Sequence, residues 1–217
     1  MAATTLTISS KNYSSWSLRG WLMTKLSGIA FEEIVTGPDD ASARAEIMLL
    51  SPSVLVPCLT YKGARVWDSL AIGEFLNEIA PKAGLLPADR MTRAHCRSIC
   101  GEMHSGFTSL RAALPMNLKG HFPNFKVWSK AEADIARITE IWRECVGTYG
   151  GPYLFGKISI ADAMYAPVVT RLLTYDVPLD TVCKAYCETI MAWPAMQEWI
   201  ADAKDGVEEI EEMEVEF

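Results

Sequence analysis

The pattern of apolar and polar residues changes along the chain from alternation to helical spacing. Short alternating segments with β-branched residues predict strands, and apolar residues that recur every three to four positions predict helices. In the first part of the chain the two patterns interchange and predict strand 6–9, helix 16–28, strand 31–36, helix 41–50, strands 54–61 and 64–67, and helix 69–79. This order predicts a small mixed sheet with helices packed on it.

Proline and glycine residues mark a boundary between two parts of the chain. Pro81 and Pro87 flank a loop-like segment, which is typical of a linker between compact domains. We therefore predict a first domain over residues 1–82, a linker over 83–90 and a second domain over 91–217. Beyond the linker the apolar spacing is helical throughout, with predicted helices 92–114, 129–148, 159–174, 179–191 and 194–204.

Composition limits the classes of protein and partner. The 217 residues are 50% hydrophobic and 22% charged, which excludes a disordered chain and allows two compact cores. No apolar run approaches the roughly 20 residues that a membrane span needs, so no membrane partner is expected. A net charge of −7 disfavours a nucleic-acid-binding surface. The N-terminus lacks the basic region of a signal peptide, which predicts a cytoplasmic location.

Six cysteines raise the question of disulfides or a metal site. A chain of this length without an export signal normally keeps its cysteines as reduced, buried thiols. Two pairs are spaced four residues apart and would share a helix face, where neighbouring histidines make a metal site one alternative. No CxxC pair is present, so we expect buried core thiols and no metal. Four tryptophans at helical spacing are also predicted to lie in the core: Trp128, Trp142, Trp193 and Trp199.

Two short motifs in the first domain suit the binding of a small peptide-like ligand. Pro57 stands at the start of a predicted strand, where it is either an ordinary edge-strand proline or a cis X–Pro that holds a backbone edge open for a ligand. Asp68 and Ser69 begin a helix directly after a strand. Ser69 can offer its hydroxyl and first-turn N–H groups to a carboxylate, and Asp68 can accept from an ammonium, although an ordinary N-cap has the same appearance.

The predicted element order and these motifs resemble the soluble glutathione transferase family along nearly the whole chain. The resemblance implies a thioredoxin-like α/β N-terminal domain that binds glutathione and an all-α C-terminal domain that holds the second substrate. It implies a cis bond between Val56 and Pro57, with the backbone of Val56 on the cysteinyl part of glutathione, and Asp68 and Ser69 on the γ-glutamyl part. It also implies a homodimer. The reacting sulfur belongs to glutathione, so no protein nucleophile or metal is required.

The catalytic donor is expected in the loop before the first helix, where this family places a Tyr, Ser or Cys. A donor near a helix N-terminus favours the thiolate of glutathione. Ser14 is our first candidate, followed by Ser15 and then Tyr13. An ungapped alignment with the Ser-Ser-Cys pattern of the zeta class places Asn12 at the serine position, so the sequence departs from that class. The loop contains no cysteine, which argues against the omega and beta classes.

The second-substrate pocket is expected along the predicted helix 92–114. The resemblance places His104, Phe107 and Arg111 on its wall, with ordinary interhelical packing as the alternative. Gly106 is unfavourable inside a helix by about 1 kcal/mol relative to alanine, which suggests close packing or ligand access there. The expected activity is attack of the glutathione thiol on a hydrophobic electrophile or a peroxide. A zeta-like cis–trans isomerase and a non-catalytic interaction module are the alternatives.

One further motif predicts folding rather than catalysis. Ser159 is followed three residues later by Asp162, directly before an apolar run, which is the pattern of a capping box. We expect the pair to begin a buried helix of the second domain. His121 lies in a Gly-His-Phe-Pro loop and is predicted to be exposed.

Overall fold

A four-stranded mixed sheet forms the first domain. The computed structural model of the protein describes residues 4–37 and 55–206. The strands are β1 (Thr5–Ile8), β2 (Glu32–Val35), β3 (Cys58–Tyr61) and β4 (Ala64–Trp67), in the spatial order β2-β1-β3-β4. β2 runs parallel to β1, whereas β3 is antiparallel to both β1 and β4. The short alternating segments of the sequence therefore form strands, as predicted. The predicted helix 41–50 lies outside the described residues.

Helix α1 (Ser15–Ser27) connects the two parallel strands and is almost entirely buried. Ser14 caps its N-terminus, and Gly28 closes it with a φ of 72°, a left-handed conformation that glycine adopts without steric cost. The predicted end of helix 16–28 is thereby confirmed. Helix α2 (Ser69–Ile79) follows β4 and packs against α1. The arrangement is the thioredoxin-like α/β domain expected from the sequence.

Beyond α2, every regular element in the described residues is a helix. A short 3₁₀ turn (Pro81–Ala83) follows α2, and the segment after it packs into the hydrophobic core through buried leucines at 85 and 86. The helices of the second part are α3 (Arg90–Ser105), α4 (Thr108–Ala113), α5 (Ser129–Tyr149), α6 (Ile160–Thr174), α7 (Thr181–Met191) and α8 (Pro194–Asp205). None of the described helices has the length and apolar character needed to cross a bilayer.

Two predictions about the second domain are wrong. The single helix predicted over 92–114 is two helices, because Gly106 ends α3 in an extended conformation and Phe107 adopts a φ of 55°. A Cβ at Gly106 would lie 2.7 Å from the carbonyl oxygen of Glu102, so the break requires glycine at this position. Trp128 was expected in the core but is the N-cap residue of α5 and is 67% exposed. The other three tryptophans are buried.

The predicted capping box is confirmed at the start of the buried helix α6. One carboxylate oxygen of Asp162 accepts from the backbone N–H of Ser159 at 2.8 Å and from its hydroxyl at 3.1 Å. The other oxygen accepts from the N–H of Leu154 and the hydroxyl of Tyr186. Burial raises the pKa of Asp162 to about 6 despite these four bonds. The carboxyl group ties α6 to α7 and to the preceding loop.

All six cysteines are buried free thiols, as predicted. Among the described residues no group of three or more His, Cys, Asp or Glu side chains is arranged to hold a metal ion. His121 is exposed and pairs with Asp176, with Nε2 and Oδ1 3.1 Å apart.

Candidate functional site

A cleft of about 400 Å³ lies where the first domain meets α3. It combines two tryptophan rings, a carboxylate, a hydroxyl, an imidazole and the stretch of backbone that precedes β3. The described residues that line it are Trp16, Leu55, Val56, Pro57, Trp67, Asp68, Ser69 and His104. All four residues that the sequence suggested for glutathione binding are in this list. The two tryptophans were not predicted to contribute to the site.

Pro57 forms one wall of the cleft, and the Val56–Pro57 bond is cis, as expected. Pairing of β3 with β1 begins at Cys58, so Val56 lies beyond the paired part of the strand. The ring of Pro57 packs against Gly20 in α1. A Cβ at Gly20 would be 2.5 Å from Cγ of Pro57, so this contact requires glycine. Sequence reasoning missed Gly20, because the contact joins residues 37 positions apart in the chain.

Asp68 and Ser69 stand at the N-terminus of α2, on the floor of the cleft. Oδ1 of Asp68 accepts from the N–H groups of Leu70 at 2.8 Å and Ala71 at 3.2 Å. The backbone of Asp68 has a φ of 73°, a strained conformation for a residue other than glycine. Ser69 is only 2% exposed, and its hydroxyl has no hydrogen-bond partner among the described residues. Buried hydroxyls are rarely left unpaired, so this one is suited to a ligand.

The three candidate donors lie around the first turn of α1. Ser14 is half-buried, and its Oγ accepts from the N–H of Ser17 at 3.3 Å while its hydroxyl donates to Oγ of Ser17 at 2.8 Å. Tyr13 and Ser15 are buried. None of the three is among the described residues that line the cleft, whereas Trp16 is. Ser14 is therefore the most accessible of the candidates.

Asn12 joins the two domains. Its Oδ1 accepts from the backbone N–H groups of Leu118 at 2.7 Å and Lys119 at 3.1 Å, and its amide donates to Oδ1 of Asn117 at 3.0 Å. The residue is 2% exposed. These contacts explain an asparagine at this position by packing between the domains.

The three residues expected in the second-substrate pocket are only partly brought together. His104 lines the cleft, but its ring contacts Asp68 in the first domain, with Nε2 and Oδ2 2.6 Å apart. Arg111 lies behind the cleft wall, with its guanidinium 5.5 Å from the ring centre of Trp16. Phe107 is buried at the break between α3 and α4 and is not among the lining residues.

Three arginines give the region behind Trp16 a positive charge. The guanidinium of Arg19 lies 4.5 Å from the Trp16 ring centre and donates to the carbonyl of Met164. Burial, together with repulsion by Arg171 and Arg111, holds the pKa of Arg19 well below its usual value. Within the described residues none of the three has a carboxylate in ion-pair contact, and their hydrogen bonds end on backbone carbonyls. This charge favours anions nearby.

Comparisons with known proteins agree with the geometry. The family profile of the glutathione S-transferase N-terminal domain matches residues 13–79, and that of the C-terminal domain matches residues 101–202. Maleylacetoacetate isomerase of Rattus norvegicus is 29% identical over 169 residues, 76% of each chain. The probable maleylacetoacetate isomerase of Caenorhabditis elegans is 31% identical over 96 residues, 44% of each chain.

Solved structures show the same fold. A Burkholderia glutathione transferase homologue with bound glutathione superimposes with a TM-score of 0.71 at 25% identity, covering 95% of this chain and all of that one. Glutathione transferase F2 of Populus trichocarpa superimposes with a TM-score of 0.72 at 15% identity, covering 94% of this chain and all of that one. Both halves of the chain are thus matched by the same family, and the protein belongs to the glutathione S-transferases.

Proposed function

We propose that the cleft binds glutathione and activates its thiol for attack on an electrophilic small molecule or a peroxide. The observation that carries this proposal is the buried hydroxyl of Ser69, which has no partner among the described residues and lies beside the carboxylate of Asp68. A hydroxyl at a helix N-terminus suits the γ-glutamyl carboxylate, and the neighbouring carboxylate suits its ammonium. The open backbone at Val56 suits the cysteinyl amide.

Ser14 is the proposed donor to the thiolate. The N–H of Ser17 donates to its Oγ, and its own hydrogen can turn from Ser17 to a ligand sulfur by rotation about a single bond. Oγ of Ser17 would keep the bond that it accepts from the N–H of Ser9 at 3.0 Å. The positive end of α1 and the arginines behind Trp16 add a field that favours the thiolate over the thiol. Ser15 and Tyr13 remain the alternative donors, and Ser14 is preferred because it is the most exposed of the three.

The second substrate is proposed to bind against the exposed part of the tryptophan walls. Trp67 is 42% exposed and Trp16 is half-buried, so both present apolar surface in the cleft. A hydrophobic electrophile fits such a surface, and the thiolate would form a carbon–sulfur bond while the leaving group departs with its electron pair. With a peroxide, the thiolate would instead attack one oxygen, so that a sulfur–oxygen bond forms while the O–O bond breaks. The other oxygen would leave with the electron pair and take up a proton, giving an alcohol or water. A second glutathione would reduce the resulting sulfenic acid, which gives the disulfide and water.

A glutathione-dependent cis–trans isomerase is the second candidate. It is supported by the curated relatives named maleylacetoacetate isomerase. In such a reaction the thiolate adds to a conjugated carbon–carbon double bond, the bond rotates, and the thiolate leaves again. The same thiol activation serves both reactions, and they differ in whether glutathione is consumed.

Two further properties belong to the proposal. Family membership supports a homodimer, which light scattering in solution would test. Six free, buried cysteines are compatible with a reducing compartment, and we therefore propose a cytoplasmic location, which cell fractionation would test.

The test is a calorimetric titration with glutathione followed by turnover assays. Wild type is expected to bind glutathione, and Ser69→Ala is expected to bind it more weakly while remaining equally stable. Loss of glutathione during turnover of a halogenated aromatic electrophile supports a transferase. Conversion of maleylacetoacetate without loss of glutathione supports an isomerase. A folded wild type that does not bind glutathione contradicts both and favours a non-catalytic interaction module.

A further inference from the structure

We infer that His104 is a positioning residue of the glutathione site: it orients the Asp68 carboxylate from the second domain so that one acceptor position remains for the α-ammonium of the ligand. The inference rests on the proposed glutathione function of the cleft. It moves His104 from the second-substrate pocket, where the family resemblance places it, to the γ-glutamyl end of the glutathione site.

The position of His104 follows from the way α3 ends. The helix stops at Ser105 because Gly106 leaves the helical conformation and Phe107 is left-handed. His104 therefore stands in the last turn of α3, at the edge of the second domain that faces the N-terminus of α2. A donor or positive charge is favourable at a helix C-terminus. The position of the break at Gly106 therefore determines how far the His104 ring extends into the cleft.

The acceptor positions of Asp68 are nearly filled. A carboxylate offers about four lone-pair positions. Oδ1 uses its two for the N–H groups of Leu70 and Ala71, and Oδ2 uses one for Nε2 of His104 at 2.6 Å. One position on Oδ2 is left. Because both oxygens of the carboxylate are fixed by hydrogen bonds, the remaining acceptor position on Oδ2 points in one defined direction. A side chain without these bonds could point it in many directions.

The His104 ring is itself held in place. It meets Trp16 edge to face, with ring centres 5.2 Å apart and an interplanar angle of 62°. Its backbone carbonyl lies 3.5 Å from Nη1 of Arg111, which also lies over Trp16. Three elements therefore meet at the ring: α1 through Trp16, the cap of α2 through Asp68, and α3 itself.

The pair is open to the cleft rather than sealed in a core. The side chain of His104 is 31% exposed and that of Asp68 is 40% exposed, and both residues line the cleft. An imidazole–carboxylate pair of this exposure contributes little to folding stability. Holding the carboxylate for a ligand accounts for the arrangement better than stabilisation of the fold does.

The experiment compares two ligands on four proteins. The ligands are glutathione and an analogue that lacks the α-amino group. The proteins are wild type, His104→Leu, His104→Gln and His121→Leu. His121 forms a comparable imidazole–carboxylate pair with Asp176 away from the cleft, so its replacement controls for loss of such a pair. Affinities come from calorimetry and folding from thermal melts without ligand.

We expect His104→Leu to lower the affinity for glutathione about tenfold, which is the effect of losing one hydrogen bond to a charged group. The affinity for the analogue is expected to stay unchanged. His104→Gln keeps a donor and is expected to restore most of the affinity for glutathione. His121→Leu is expected to bind both ligands as wild type does. The inference is overturned if His104→Leu binds glutathione as wild type does, or weakens both ligands equally.

The experiment distinguishes failure of the proposed glutathione function from failure of the inference about His104. If wild type binds neither ligand, the proposed glutathione function fails and the inference fails with it. If wild type binds glutathione but the His104 variants do not discriminate the ligands, the inference alone fails. If His104→Leu does not fold, His104→Asn takes its place. The asparagine side chain is too short to reach Asp68, so this variant is expected to show the same loss of affinity for glutathione.

Discussion

Replacing Gly20 by alanine perturbs the wall of the cleft through one added methyl group. A Cβ at this position would lie 2.5 Å from Cγ and 2.7 Å from Cβ of Pro57. Non-bonded carbon atoms are most stable about 3.5–4.0 Å apart, so the two groups must separate by about 1 Å. The proline ring is closed onto the backbone and cannot move by a change of rotamer. The backbone at Val56 must therefore shift with it.

Two opposing effects determine how much Gly20→Ala changes the free energy of unfolding. Overpacking a dense core typically costs about 1–3 kcal/mol. Alanine is favoured over glycine in a helix by about 0.8–1.0 kcal/mol. Gly20→Ala is therefore expected to lower the free energy of unfolding by about 0–2 kcal/mol. Gly101 in α3 is the matched control, because a Cβ there meets nothing within 4 Å. Gly101→Ala is expected to raise stability by up to about 1 kcal/mol.

Thermal unfolding and glutathione titration together decide the outcome. The two variants are expected to differ by about 1–3 kcal/mol, which corresponds to about 2–4 °C in Tm for each kcal/mol at this chain length. Gly20→Ala is also expected to weaken glutathione binding, because Val56 and Pro57 move, whereas Gly101→Ala is not. The reasoning is refuted if Gly20→Ala is as stable as Gly101→Ala and binds glutathione as wild type does.

The remaining predictions concern single polar groups. Ser69→Ala is expected to leave the Tm unchanged but weaken glutathione by about 1.5–3 kcal/mol in calorimetry, since it removes a hydrogen bond to a carboxylate; equal affinity contradicts this. Asn12→Ala leaves the N–H of Leu118 without an acceptor, whereas the N–H of Lys119 still donates to Oδ1 of Asn117, and is expected to cost about 1–3 kcal/mol in denaturant unfolding, with no change in thiol activation. Ser159→Ala is expected to cost about 0.5–2 kcal/mol with glutathione affinity unchanged. The pKa of Asp162 is raised to about 6 from 3.8, so the folded protein holds this proton more tightly than the unfolded chain does. The free energy of unfolding is therefore expected to fall by about 3 kcal/mol as the pH rises from about 4 to 6. Asp162→Asn should lack this dependence on pH.

Features that depend on neighbours in the sequence were predictable. The end of α1 at Gly28 follows from the conformational freedom of glycine, and the start of α6 follows from the spacing of Ser159 and Asp162. The cleft residues Asp68 and Ser69 were recognisable because a strand directly precedes a helix N-terminus there. These signals all lie within a few residues of the position they describe.

Features that do not show in the spacing of apolar residues were not predicted. The break after α3 arises because Gly106 and Phe107 leave the helical conformation, although the apolar spacing continues across them. The contact of Gly20 with Pro57 and the pairing of His104 with Asp68 join segments far apart in the chain. Trp128 and Trp193 each directly precede a helix, yet Trp128 is exposed and Trp193 is buried. Side-chain periodicity carries no information about such contacts.

The most direct test of the account follows the thiol of bound glutathione by its ultraviolet thiolate absorbance as pH is varied. A free thiol of this type has a pKa of about 8.5. We expect the thiol of glutathione bound to the wild-type protein or to Ser14→Thr to have a lower apparent pKa than the free thiol. Ser14→Ala is expected to bind glutathione still, with the pKa of the bound thiol returning towards the free value. Ser159→Ala, which also removes a helix cap, should titrate as wild type does. Bound glutathione that titrates like the free thiol on the wild-type protein would contradict the account.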